Sequence, residues 1–263
     1  MDEVVFDAEH FFDGYKANPA YALDCIRAAS AARWIVLCDT NCGTLPHEIA
    51  RIVTEVGKHV PGEKLGIHAH NDTGNAVANS LAAVEAGVRQ VHGTLNGLGE
   101  RCGNANLVTL IPTLMLKYDG RYALGLGESD LRQLTHTARL LDELLNRAPD
   151  RHAPYVGESA FAHKGGLHVS AVLKDPASYE HVAPEAVGNR RHIVVSDQGG
   201  RANLLGRLAE LGIDIDANDP KVRKLVDEVK QREFEGYAYD GAEASFELLV
   251  RRALGQVPEF FRM

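Results

Sequence analysis

Lys64-Leu65-Gly66-Ile67-His68-Ala69-His70-Asn71-Asp72 is a short β-rich run that ends in polar residues, and an Ala-rich stretch of helical spacing follows it. The same order of strand, loop and helix begins at Glu3-Val4-Val5-Phe6, at Trp34-Ile35-Val36-Leu37-Cys38 and at Arg89-Gln90-Val91-His92-Gly93. Starts near residues 3, 34, 64 and 89 have the pitch of parallel βα units joined by right-handed crossovers. Their near-continuous apolar character suits strands covered on both faces. In the helix after residue 72, Asn71, Asp72 or Thr73 can cap the start, Ala76, Val77, Leu81 and Val84 form one apolar stripe, and Gly87 ends it. The stripe predicts packing on the outside of the sheet.

Beyond Gly93 the strand rhythm stops. Residues 105–117 and 128–147 read as helices, the second with Leu131, Leu134, Leu140, Leu141 and Leu144 on one side. Residues 148–200 are loop-rich, and helical stretches return at about 200–211, 219–233 and 241–254. The expected organisation is a βα part over 1–120 and a mostly helical part over 121–263, divided at Tyr118-Asp119-Gly120. A (β/α)8 barrel needs eight strands and about 250 residues, whereas four units fill roughly the first 117 here. The fold class expected is therefore α/β: half of it is missing if it is a barrel, and an open four-stranded parallel sheet is the alternative. An open four-stranded sheet would leave two edges for which no covering element can be assigned.

The net charge is −8, from 28 Lys+Arg against 36 Asp+Glu, and Lys and Arg cluster nowhere beyond Arg190-Arg191-His192. This balance excludes a nucleic-acid partner held by electrostatics. No apolar run approaches a membrane span, and Met1-Asp2-Glu3 starts acidic where a secretory signal starts basic. A soluble cytoplasmic protein without a membrane partner is expected. Cys25, Cys38, Cys42 and Cys102 are too scattered for a disulfide framework and read as reduced, mostly buried thiols. Twelve histidines is a high count for 263 residues, which makes their spacing informative.

Alternate strand residues point to one side, so His68 and His70 project together from the carboxyl edge of the third strand, where parallel-sheet enzymes place their sites. A lone strand histidine would be a core residue; this pair, followed by Asn-Asp, reads as half a metal site. Asn96-Gly97-Leu98-Gly99-Glu100-Arg101-Cys102-Gly103-Asn104 leaves backbone free to approach a ligand, yet fits neither the dinucleotide nor the Walker spacing. In Phe161-Ala162-His163-Lys164-Gly165-Gly166-Leu167-His168, with Tyr179 downstream, the imidazoles and phenol are either acid/base groups or loop polarity. Asp7-Ala8-Glu9-His10 and Asp39-Thr40-Asn41 close the first two strands, as helix caps or as pocket groups.

Together His68-Ala69-His70-Asn71-Asp72, Gly97–Asn104, Cys38-Asp39-Thr40 and Phe161–His168 resemble the motifs of the metal-dependent Claisen-condensing synthases of isopropylmalate, homocitrate and citramalate. Val5-Phe6-Asp7-Ala8-Glu9-His10-Phe11-Phe12-Asp13-Gly14-Tyr15 and Val194-Val195-Ser196-Asp197-Gln198 look most like the citramalate branch. The resemblance implies strands five to eight of a catalytic TIM barrel followed by helical linker subdomains. It also implies that the first four strands, an Arg-Asp-Gly motif whose aspartate binds metal, and a regulatory domain lie outside this chain. Isolated, such a chain would be an inactive fragment that works only with its missing half. By matching positions, His68, His70 and Asn104 are implied metal ligands for Mg, Mn or Zn, and Thr40 an implied contact of the 2-oxo acid carboxylate. Glu9 is an implied active-site acid, and His168 and Tyr179 are implied to enter a partner subunit's pocket near acetyl-CoA, in a homodimer. The implied reaction condenses acetyl-CoA with pyruvate in isoleucine biosynthesis, or with the larger oxo acid of isopropylmalate or homocitrate synthase. A lyase on the same barrel would lack the linker with His168 and Tyr179. Cys42, His92 and Gly199 depart from the usual pattern.

Overall fold

The computed structural model describes residues 3–194, 199–257 and 259–261, in two compact units, Met1–Pro149 and Asp150–Met263. In the first, β1 (Val5–Ala8), α1 (Phe11–Ala17), α2 (Pro19–Ala28), β2 (Trp34–Asp39), α3 (Pro46–Val56), β3 (Leu65–Ala69), α4 (Ala76–Glu85) and β4 (Gln90–His92) follow one another. The strands pair in parallel in the order β1-β2-β3-β4. Sequential order without reversal marks a singly wound sheet, whereas a doubly wound sheet turns back on itself. These four units are thus an arc of a (β/α)8 barrel. Among the described residues no strand pairs with the outer edge of β1 or β4.

Alternation sorts the side chains. Ile35, Leu37, Leu65 and Ile67 turn to one side and are buried with Phe12 and Tyr15 of α1, Ile26 of α2, Ile49 and Ile52 of α3, and Ala83 of α4. All four helices therefore cover that face. Val36, Cys38, Gly66, His68 and His92 alternate with those residues and face the other way. At α4 the cap is supplied at a distance, since Asn71 Oδ1 accepts from Ala76 N at 3.2 Å. Its Val77, Leu81 and Val84 pack with Leu110 and Leu114 of α5 (Leu107–Leu116), on the outside as the stripe predicts.

Two expectations differ from the structure here. The helix expected over 128–147 is broken into α6 (Glu128–Leu131) and α7 (Leu134–Leu144). Leu131 and Leu134 are buried, but Leu140 and Leu144 are 44% and 74% exposed, so only the first half of the leucine stripe faces the core. The first compact unit also runs past the expected boundary at residue 120. Asn96 Nδ2 donates to Ala138 O at 2.9 Å and Asp142 Oδ1 at 3.0 Å, fastening α7 to the loop after β4. Tyr118, Tyr122 and Leu124 pack on the cluster of Val84, Leu110 and Leu114.

The second unit holds β5 (Ala162–His163), α8 (Gly166–Lys174), β6 (His192–Ile193), α9 (Arg201–Glu210), α10 (Pro220–Phe234) and α11 (Glu243–Leu254). The last three helices match the expected stretches to within two residues. They share a core of Leu204, Leu208, Val222, Leu225, Val229, Phe246 and Val250. By contrast, α8 occupies a segment read as loop, its start disguised by Gly165 and Gly166. Residues 195–198 of the Val194–Gln198 motif lie outside the described residues. Glu180 is buried beneath Arg191, whose Nε and Nη2 each donate to it at 2.6 Å, and His163 Nε2 lies 3.1 Å from its Oε1. Burial pushes this carboxyl up, but the hydrogen bonds from Arg191 and His163 outweigh it and hold the group below its usual range.

Ile67 is fully buried between sheet and helices, so Ile67→Ala is expected to destabilise the first unit by about 2–5 kcal/mol in denaturant melts. Leu144→Ala on the exposed end of α7 is expected to stay within about 0.5 kcal/mol; equal losses would contradict the placement of the core. The depressed Glu180 carboxyl contributes stability above its unfolded pKa of about 4.3, and that contribution is lost as pH falls through the folded value. Thermal melts of Glu180→Gln should therefore differ from the parent most at neutral pH and converge with it on acidification; a gap independent of pH would refute the ion pair's role.

Candidate metal and substrate site

The β2-β3-β4 register sets Cys38, His68 and His92 level with one another, on the face away from the helices and at the carboxyl ends of their strands. His68 Nε2 is 3.0 Å from Asn104 Nδ2, and His68 Nδ1 is 3.4 Å from His92 Nδ1. His70 is two residues further along, its ring centroid 5.3 Å from that of His68. His70 Nδ1 is buried without a hydrogen-bond partner. The structure thus gathers His68, His70 and Asn104, three residues expected together, and adds His92.

Asn104 reaches this point because the glycine-rich loop folds back on the end of β3. His70 and Asn104 form an isolated antiparallel bridge. Asn71 N donates to Gly103 O at 2.9 Å, and Ala105 N to Ala69 O at 3.0 Å. Gly103 has φ +86°, and any Cβ there would overlap the Gly97 carbonyl oxygen; a Cβ at Gly99 would overlap Asn104 Oδ1. Only hydrogen fits at both positions.

A second clamp binds the rim. Arg101 donates through Nε and Nη2 to both carboxylate oxygens of Asp72, at 2.7 and 3.0 Å, and through Nη2 to Thr40 O at 2.6 Å. The loops after β2, β3 and β4 are joined by that one guanidinium. The hydroxyl of Thr40 accepts from His10 N at 2.8 Å, which leaves its proton free to donate to a ligand. Cys42, at φ +53°, is held by its own carbonyl accepting from Thr73 Oγ1 at 3.1 Å and by a 2.9 Å contact between Sγ and that hydroxyl. A cysteine therefore tolerates the left-handed conformation that suits glycine.

Charge states follow from burial. The His68 pKa is lowered, first by burial and then by the neighbouring His70 and His92, favouring the neutral imidazole that binds cations. Burial, followed by the charges of Asp7 and Glu9, pushes the Cys38 thiol up to about 12. It stays protonated and is no thiolate ligand. Asp39 is buried and its pKa raised, with burial the main cause; it accepts from Asn79 Nδ2 at 2.9 Å and ties β2 to α4. Of the carboxylates left open between caps and pocket, Asp39 is therefore a structural tie. Glu9 is exposed just past β1, and its charge favours the protonated form of His68, which places it within electrostatic reach of the cluster.

Among the described residues no group of three or more His, Cys, Asp and Glu could hold a metal ion. The donors present are two imidazoles and an amide. An orphaned, buried imidazole nitrogen beside a neutral one fits a divalent cation that takes further oxygen ligands.

In the second unit His168 and Tyr179 stack with centroids 4.4 Å apart and planes at 29°, and both are exposed. His163, from the same motif, is buried against Glu180 and is unavailable for acid/base work. Sequence reading passed over His92 and Arg101 as site residues. Arg101 had a signal, its charge being opposite to that of Asp72 in the loop after the neighbouring strand. His92 stood out only as a departure from the usual pattern, because its contact with His68 depends on register.

The HMGL-like family profile matches residues 2–140, more than half of the chain, and a homocitrate synthase post-HMGL domain-like profile matches 155–236. An (R)-citramalate synthase of Aquifex aeolicus (strain VF5) is 55% identical over 99% of this chain and 49% of its own length. One from Synechocystis sp. (strain ATCC 27184 / PCC 6803 / Kazusa) is 54% identical over 98% and 48%. A probable 2-isopropylmalate synthase of Methanopyrus kandleri is 37% identical over 97% and 49%. The chain therefore spans about half the length of the curated relatives it matches, and its first 140 residues carry the profile, the barrel arc and the histidine cluster at once: the chain belongs to the HMGL-like family.

Proposed function

We propose that this chain carries the metal-binding side of an acyltransferase that joins acetyl-CoA to pyruvate to give (R)-citramalate, working as a homodimer in the cytoplasm. The observation that carries the proposal is the approach of His68 Nε2 to the Asn104 amide at 3.0 Å, with the His70 ring 5.3 Å from that of His68 and its buried Nδ1 unpartnered, at the carboxyl rim of the barrel arc. A divalent cation held by His68, His70 and Asn104 would act as a Lewis acid toward the keto oxygen of the oxo acid. Pyruvate is favoured by the higher identity to citramalate synthases than to an isopropylmalate synthase. Four free cysteines suit a reducing compartment, and no helix among the described residues is long and apolar enough to cross a membrane.

The remaining roles fall to groups already placed. Thr40 donates its hydroxyl proton to the oxo-acid carboxylate, with its backbone pinned by Arg101. A base takes a methyl proton from acetyl-CoA, and the enolate carbon then bonds to the carbonyl carbon, whose oxygen gains a proton. Water cleaves the thioester and releases the CoA thiol. Glu9, His168 and Tyr179 are the groups proposed for these transfers. The exposed stack of His168 on Tyr179 supports their insertion into a partner subunit's pocket.

A second reading has the chain act only when strands from elsewhere close the barrel. Among the described residues the outer edges of β1 and β4 are unpaired and the donor set stops short of a full coordination shell, which favours it.

Two measurements test the proposal. Calorimetric titration of the chain with Mn2+ or Zn2+ should show one site, weakened at least tenfold by His70→Ala; unchanged affinity would remove His70 from the site. Release of CoA thiol should be followed with pyruvate, 2-oxoisovalerate and 2-oxoglutarate, both for the chain and for the whole reading frame of its gene. A preference for pyruvate in kcat/KM of tenfold or more is expected, and a preference for either larger acid would overturn the choice of substrate. Gly103→Ala is expected to abolish cation binding, because the loop cannot then close on Asn104.

A further inference from the structure

His92 departs from the pattern of the resembling synthases and sits level with His68 on the neighbouring strand. Its ring stands edge-on to that of His68, at 84° and 5.6 Å between centroids, with 3.4 Å between the two Nδ1 atoms. On the other side of His68 the Asn104 amide donates Nδ2–H to Nε2 at 3.0 Å. Nε2 is therefore the acceptor and carries a lone pair, and the proton of neutral His68 is on Nδ1. The atom facing that proton is His92 Nδ1. Asp7 Oδ1 is 4.0 Å from the same nitrogen, beyond hydrogen-bond range, so Nδ1 of His92 is left to accept.

We propose that His92 is a positioning residue: its Nδ1 accepts the hydrogen bond from His68 Nδ1–H, which fixes the tautomer and plane of His68 and keeps Nε2 unprotonated, so that the lone pair now facing Asn104 Nδ2–H can be turned over to a cation. Ligating histidines commonly present the second ring nitrogen to a carboxylate or carbonyl. Here an imidazole on the adjacent strand does that work, and strand register delivers it. The arrangement also requires the proton of neutral His92 to reside on Nε2. The inference rests on the proposed cation site, but the proton's location does not require a cation to be present.

Long-range 15N–1H NMR of the cation-free chain, labelled in histidine, reads the tautomer directly. His68 is expected in the Nδ1–H form and His92 in the Nε2–H form; His68 protonated on Nε2 would overturn the proposal without recourse to any variant. His92→Leu removes the acceptor, and the expected result is mixed tautomers at His68 with Zn2+ affinity about 10–100-fold weaker. His92→Gln offers a carbonyl oxygen at a similar reach and is expected to restore both the tautomer and most of the affinity. Equal loss in the Leu and Gln variants, or none in the Leu variant, would reduce His92 to a packing residue. If the parent chain binds no Zn2+ or Mn2+, the proposed cation site fails, while the tautomer spectrum still decides the role of His92.

Discussion

The alignment of three parallel strands is the constraint on which the site depends. With Cys38, His68 and His92 level with one another, the His68 imidazole has a neighbour at each nitrogen, Asn104 on one side and His92 on the other. A slip of one residue in β3 would turn His68 into the helix-covered core and bring Ile67 to the open face. The buried Ile35, Leu37, Leu65 and Ile67 prevent it. Hydrophobic burial on one face thus sets the chemistry on the other, and the same packing that stabilises the arc aims the imidazole.

The loops complete what the strands begin. Gly103 and Gly99 let the loop after β4 fold onto β3, and Arg101 ties Asp72 and Thr40 together above it. The Arg101 pair is exposed, so its effect is orientation more than stability. Burial acts inside, keeping the Cys38 thiol protonated and favouring neutral His68. The outcome is a nitrogen-and-amide cluster around His68, with Asp7 and Glu9 close enough to bias that imidazole electrostatically.

Much of this was legible in the sequence, for identifiable reasons. The strands are short apolar runs ended by polar residues, and the four starts were read to within two residues. The His68/His70 pair follows from two-residue alternation, whereas Asn104 follows only from the resemblance of its motif to that of the synthases. What escaped depends on tertiary contact. His92 meets His68 only through register, and His163 looks like a loop acid/base group until Glu180 and Arg191 enclose it. The first unit extends past residue 120 because Asn96 reaches α7 and because Tyr122 and Leu124 pack on Val84, Leu110 and Leu114. The leucines of α7 have helical spacing throughout, yet only those near its start meet a partner surface.

The most direct measurement is anomalous diffraction from crystals of the chain soaked in Mn2+. A single strong peak within coordination distance of His68 Nε2, the His70 ring and the Asn104 side chain is the predicted result. A peak elsewhere, with the rings of His68 and His70 turned apart or Asn104 withdrawn from both, would contradict the assignment of this rim as a cation site.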